Sequence, residues 1–251
     1  MRKTIVMVIV SMLTLVSIPA QGCIGARQAA MGWAGVAISD DATASYWNPA
    51  TFPWARNGLF CENIYDNIAI ALKHDEWGFA FADQYDKTYF EFSHSFMLSS
   101  NTAIGIAAGW HADKRNEPNI IICDGYILVP VPQTIANLYN GPMASVSFIS
   151  VHDYINFGVL LQGITVRPGI CLKTDGLAVS GEIYDLFGIC DNFHYRFGVE
   201  FTPVSFLSLR GGYNSEHERV TYGVGIRASF VSIDMVHYYD DENYYSVSLF
   251  Y

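Results

Sequence analysis

The sequence predicts an all-β fold: an antiparallel transmembrane β-barrel of about 14 strands. Three observations predict it. Charged residues make up only 15% of the 251 residues, against roughly 25% in ordinary soluble domains. Hydrophobic residues reach 51% and aromatic residues 15%. From about residue 59 onward the side chains alternate with period 2 in short runs broken by turn residues, which is how strands with one apolar and one polar face read.

The chain begins with Arg2 and Lys3, continues through a run that is apolar apart from Thr and Ser, and reaches small residues at Ala20 and Gly22. A basic start, an apolar centre and a small-residue end make residues 1–22 a secretory signal peptide. Acylation of Cys23 and an uncleaved anchor are the alternatives. The first lacks the leading Leu of a usual lipobox, and the second has an apolar run shorter than the ~20 residues of a helical span. Removing residues 1–22 takes away two basic and no acidic residues, which moves the net charge from −10 to −12. No later stretch is long and apolar enough for a helical span, so an exported, aromatic-rich chain must owe its apolar character to β structure.

The strands carry the argument. Tyr195, Phe197, Val199 and Phe201 fall on one face, and Arg196, Gly198, Glu200 and Thr202 on the other. Tyr222, Val224 and Ile226 oppose Thr221, Gly223, Gly225 and Arg227; Tyr245, Val247, Leu249 and Tyr251 oppose Tyr244, Ser246, Ser248 and Phe250. In a soluble sandwich the second face would carry many Lys, Glu and Asp for solvation. Here it is mostly Gly, Ser and Thr with a few charges of both signs, which suits a confined polar lumen. A membrane barrel requires that arrangement, because closure leaves no backbone group unpaired in hydrocarbon and the outward face meets lipid. A soluble periplasmic β protein is the alternative fold.

Strands are expected at 59–65, 67–73, 76–83, 88–98, 101–111, 142–150, 154–165, 167–173, 177–186, 193–202, 205–214, 219–228, 230–239 and 243–251. With both termini in the periplasm, the even-to-odd connections are short turns, including Pro203-Val204 and Ser229. The one long connection, 112–141, then lies outside the cell and is a candidate lid or partner-binding loop.

The charge balance, 14 basic against 24 acidic residues, argues against a nucleic-acid partner, since phosphate binding needs clustered Lys and Arg. Cysteines at 23, 61, 123, 171 and 190 match no zinc or redox spacing. A Cys171–Cys190 disulfide is possible in an exported chain, but isolated small residues in strands account for the spacing better. The seven histidines are scattered, with no His-x-x-x-His pair. Gly223-Val224-Gly225-Ile226-Arg227-Ala228 fits a dinucleotide-loop pattern but lies inside an alternating strand with no helix after it. No Gly-x-Ser-x-Gly elbow is present. The chain therefore reads as a non-enzyme without cofactor or metal. One constellation stands out: Arg196, Glu200, Arg210, Arg227 and Asp234, opposite charges on adjoining inward faces, expected as a buried polar network.

Residues 25–50 read GARQAAMGWAGVAISDDATASYWNPA. Through Met31-Gly32, Ala34-Gly35, Val36-Ala37, Asp40-Asp41-Ala42 and Asn48-Pro49-Ala50 this segment resembles the N-terminal segment of FadL-like outer-membrane barrels. A second block, Arg196-Phe197-Gly198-Val199-Glu200, Leu209-Arg210-Gly211-Gly212-Tyr213, Tyr222-Gly223-Val224-Gly225, Asp234 and the C-terminal aromatic, resembles the PorV/PorQ branch. Together the blocks cover about a third of the chain. The resemblance implies a barrel at 58–251 whose segment 23–57 enters the lumen as a hatch, with Asp40 and Asp41 paired to Arg196, Arg210 or Arg227. An ordinary N-terminal turn and loop is the alternative. Trp33 stands where the family commonly has a small residue. Tyr251 resembles the terminal aromatic read by barrel-assembly machinery.

The implied location is the outer membrane of a diderm bacterium, with lipid and that assembly machinery as partners. Two functions follow from the resemblance. One is a PorV-like interaction protein serving secretion components or exported cargo, which the C-terminal block and small barrel favour. The other is a channel for small hydrophobic compounds such as fatty acids.

Overall fold

The computed structural model describes residues 24–64, 67–84, 87–113, 141–163, 165–188, 193–237 and 243–251. The expected signal peptide, Cys23, Cys123, Cys190 and nearly all of the long connection lie outside the described residues.

Two short helices come first, α1 (Ala26–Ala30) and α2 (Ala44–Trp47), then a 3-10 turn at Pro49–Thr51. Fourteen strands follow: β1 (Gly58–Ile64), β2 (Asn67–His74), β3 (Trp77–Gln84), β4 (Lys87–Ser99), β5 (Thr102–Asp113), β6 (Gly141–Val151), β7 (Ile155–Gln162), β8 (Thr165–Thr174), β9 (Leu177–Tyr184), β10 (His194–Val204), β11 (Leu207–Asn214), β12 (Arg219–Arg227), β13 (Val231–His237) and β14 (Asn243–Phe250). Each pairs antiparallel with its sequence neighbours, and β1 pairs with β14 from Gly58↔Phe250 to Asn63↔Tyr245, so the sheet closes on itself. Closure leaves no edge strand, the condition for crossing hydrocarbon with β structure.

The alternation in the sequence sorts the side chains. Phe92, Phe197, Val199, Tyr222 and Leu249 face outward and are exposed, whereas Glu91, Arg196, Arg210, Ser246 and Ser248 face inward and are buried. The outer surface is thus a continuous apolar band, far larger than a water-facing surface tolerates. Among the described residues no helix is long and apolar enough to cross a membrane; the crossing elements are strands.

Most strand ends fall within two residues of the expected ones, and two turns are displaced. The turn placed at Pro203-Val204 falls two residues later, because β10 runs on to Val204 through a bulge between Phe201 and Val204. Proline cannot donate a ladder hydrogen bond, and a bulge is where a sheet tolerates it. The β7–β8 turn falls earlier than expected, at Gly163, whose φ of 58° suits a tight turn. Pro168 sits within β8, as in the expected strand 167–173, opposite Val159. The Gly223–Ala228 run lies in β12 and at its end, with no helix to build a phosphate site. Cys61 and Cys171 are free thiols in β1 and β8.

Candidate functional site in the barrel lumen

Residues 24–52 are almost entirely buried, and they are buried against the inward face of the barrel wall. The Gly-rich inner face explains how a backbone fits there. A Cβ on Gly212 would lie 2.0 Å from the Gly32 nitrogen, and one on Gly198 would lie 2.5 Å from the Met31 oxygen. On the opposite wall a Cβ on Gly105 would lie 2.3 Å from the Ala50 nitrogen. Glycine here makes room for another chain segment.

Polar side chains then fix the segment to the wall. Asn48 Oδ1 accepts from the Ala50 amide at 3.0 Å, while its Nδ2 donates to the Val36 carbonyl at 2.8 Å and to Phe148 of β6 at 3.3 Å. Pro49 opens the 3-10 turn, where its missing N–H costs nothing, and the Ala50 amide also donates to Ser147 Oγ of β6 at 3.1 Å. Ser180 Oγ of β9 donates to the Ala34 carbonyl at 3.0 Å, and Asn156 Nδ2 of β7 donates to Ala37 at 3.1 Å. An apolar cluster joins the segment to β1–β4: Trp33, Tyr46 and Trp47 pack with Phe60, Ala71, Ala80 and Tyr89.

Trp33 has φ 67°, next to Gly32 at 63°. This left-handed turn is the reason a small residue, and glycine best of all, suits the position. Trp33 tolerates it through burial and a stack on Trp47, with ring centroids 5.9 Å apart and planes at 21°.

Charged groups form two buried lattices. In the first, Arg27 of α1 donates from Nε and Nη2 to Glu200 Oε2 and Oε1 of β10 at 2.9 and 2.8 Å. Arg27 also pairs with Asp40. Arg210 of β11 donates to Glu200 Oε2 and to Asp234 Oδ1 of β13, both at 2.6 Å, and Ser232 Oγ donates to Asp234 Oδ2 at 3.0 Å. Burial alone would lower the Arg27 pKa, but Asp40 and Glu200 outweigh it and raise the value well above ordinary arginine.

In the second lattice Glu182 of β9 is the centre. Its Oε1 accepts from Arg167 Nε and Nη2 of β8 at 2.9 and 2.6 Å and faces Arg196 Nη1 at 3.6 Å. Its Oε2 accepts from the amides of Gly35 and Val36 at 3.0 and 3.1 Å. Arg196 Nη2 reaches on to Glu216 in the β11–β12 turn at 3.1 Å.

The five inward residues singled out in the sequence are thus divided. Glu200, Arg210 and Asp234 share one lattice, Arg196 belongs to the other, and Arg227 joins neither because it lies at the far end of β12, near Arg56. Asp40 pairs with Arg27 rather than with Arg196, Arg210 or Arg227, since α1 brings the guanidinium alongside within the segment itself. Asp41 stays within its own turn and accepts from the Thr43 amide at 2.9 Å. Met31, Gly32 and Gly35 line the approach to β9–β11. Tyr251, just past β14, donates its hydroxyl to the Lys73 carbonyl at 3.3 Å and stands 3.4 Å from His74 Nδ1. Arg27, Arg167 and Glu182 went unnoticed in the sequence. Their signal was there, as charges on the small-residue face of strands and one Arg in an Ala-rich turn. Among the described residues no group of three His, Cys, Asp or Glu side chains is placed to hold a metal ion.

Solved structures share this architecture. The CymD monoaromatic hydrocarbon channel superposes with a TM-score of 0.60 at 9% identity, covering 91% of this chain and 97% of that one. The toluene transporter TodX of Pseudomonas putida gives 0.52 at 11% identity, covering 93% and 97%. The fold is that of a FadL-like outer-membrane barrel. A Pseudomonas aeruginosa FadL homologue also aligns, at a TM-score of 0.49 and 10% identity over 93% of this chain and 98% of that one. CymD is a channel and TodX a transporter. No protein-family model matches the chain, and no curated protein matches it in sequence.

Proposed function

We propose that the protein carries small, uncharged hydrophobic compounds across the outer membrane, with residues 24–57 serving as the hatch of the lumen. The single observation behind this reading is the way the segment is held. It lies inside the wall on hydrogen bonds, charge pairs and glycine contacts, and it continues into β1. Such contacts can be exchanged for water as the segment shifts, whereas a wall strand cannot leave without opening the barrel. The shared fold of CymD and TodX supports the same solute class, and the signal-peptide features of residues 1–22 agree with export.

The PorV-like interaction reading retains one structural support. The apolar cluster of Trp33, Tyr46, Trp47, Phe60 and Tyr89 fills the lumen beside β1–β4 as a permanent plug would. Crosslinked pulldown from native membranes separates the two, since recovery of secretion components or exported cargo favours the interaction reading.

The test of the transport reading uses lipopolysaccharide-containing proteoliposomes and a monoaromatic hydrocarbon. Wild-type protein should speed entry above protein-free vesicles, and a variant lacking residues 24–50 should speed it further. Absence of binding and of entry for both proteins would remove the reading.

A further inference from the structure

A cleft of about 460 Å³ opens at the end of the barrel where β1 begins and β14 stops. It lies beside the exit of the lumenal segment and outside both charge lattices. Its walls combine the apolar side chains of Phe52, Pro53, Ala55 and Phe250 with two cations, Arg56 and Lys73.

The Arg56 guanidinium sits 3.6 Å above the centroid of the Phe250 ring. Its Nη2 is buried with no hydrogen-bond partner. Arg227 is the charge that bears most strongly on it, and the carboxylates of Asp40 and Asp41 act next, in the opposite direction. Lys73, itself buried, donates to Asn57 Oδ1 at 2.8 Å. Asp75 and Glu76 stand at the cleft as well, but Asp75 Oδ1 already accepts from Asn57 Nδ2 at 3.0 Å.

A buried guanidinium N–H with no acceptor is costly to leave unpaired, and the rest of the Arg56 head lines the cleft. A carboxylate is the partner whose two oxygens match its fork, and Lys73 and Arg227 add attraction for a negative charge. The aromatic and proline walls would cover a flat apolar body. Asp75 and Glu76 would repel a second negative charge, which disfavours phosphate. A neutral hydrocarbon would leave Arg56 as it is.

We propose that this cleft binds a small aromatic carboxylate. The site lies apart from the lumen, so the inference does not depend on the transport reading; a protein that passes no hydrocarbon can still bind the acid.

The experiment uses the full chain folded in non-ionic detergent at low salt, with 4-fluorobenzoate as probe and ¹⁹F NMR as readout. Saturable binding is expected, weakened at least tenfold in Arg56→Gln and partly restored in Arg56→Lys. Fluorobenzene and inorganic phosphate should fail to displace the probe. No saturable binding to the wild-type protein overturns the proposal. So does unchanged affinity in a folded Arg56→Gln variant, or equal displacement by phosphate, which would mark a plain cationic patch. If Arg56→Gln does not fold, Ser229→Phe decides: Ser229 lines the cleft from an exposed turn, and the larger ring should abolish binding, whereas retained binding contradicts the site.

Discussion

Arg27 and Glu200 stand 173 positions apart in the chain and meet through two parallel hydrogen bonds of 2.8 and 2.9 Å. One residue belongs to the lumenal segment and the other to the wall, so this pair ties the two parts of the molecule together. Its geometry is the fork-on-carboxylate arrangement that makes arginine pairs strong. Both partners are almost fully buried, and each keeps a second charge partner when the other is removed: Arg210 for Glu200 and Asp40 for Arg27.

Arg27→Met should weaken the attachment of the segment by about 1.5–3 kcal/mol, the usual worth of a hydrogen bond to a charged group. Arg210 remains to hold Glu200, which keeps the wall intact. Hydrogen exchange of residues 24–50 should accelerate, while heat-modifiable gel migration of the barrel stays unchanged. Slow exchange in the variant would show that the apolar contacts alone suffice.

Gly212→Val tests the close approach of the segment to β11. Its Cβ would meet the Gly32 nitrogen at 2.0 Å, a contact that only displacement of the segment can relieve. The variant should still form a barrel, since Gly212 pairs with Thr221 and Gly198 within an ordinary ladder. Protease cleavage within residues 24–57 should become at least tenfold faster.

Trp33→Gly sets two effects against each other. Relief of the left-handed backbone is worth about 1–2 kcal/mol, and loss of a buried Trp costs about 3–5 kcal/mol. Packing wins, so the segment should loosen by about 1–4 kcal/mol on those figures. Exchange rates of residues 24–50 measure it, and a tighter segment would mean that backbone strain dominates.

Glu216 gives the pH dependence. Burial raises its pKa, but Arg196, His217 and His194 together outweigh burial and the net value falls below that of ordinary glutamate. A depressed folded-state pKa means that the pair's contribution is complete above the ordinary glutamate range and is lost only as pH falls through the lower folded value. NMR titration of the Glu216 carboxyl should give a midpoint below that of free glutamate, and a clearly higher midpoint in Arg196→Gln, where burial is left largely unopposed.

The wall was legible in the sequence because lipid on one side and a confined lumen on the other impose period 2 on every strand. Tyr195 to Thr202 shows it residue by residue. The lattices were less legible. Sequence alternation assigns Arg196, Arg210 and Arg227 to one face, but not to a height along the barrel, and height separates Arg227 from Arg210. The Arg27 and Glu182 contacts depend on where the segment lies once the sheet has closed, which no local pattern encodes. Trp33 marked its own position by departing from a small residue, and the positive φ there gives the reason.

The most direct test of the hatch locks it. Ser180 Oγ lies 3.0 Å from the Ala34 carbonyl, so an Ala34→Cys/Ser180→Cys pair, with the native cysteines replaced by Ala, places one thiol on the segment and one on β9. Hydrocarbon entry into lipopolysaccharide-containing proteoliposomes is then measured before and after reduction of that single disulfide. The predicted result is entry at the protein-free rate when the pair is oxidised and recovery to the wild-type rate when it is reduced. Equal entry in both states would contradict the claim that residues 24–57 gate the lumen.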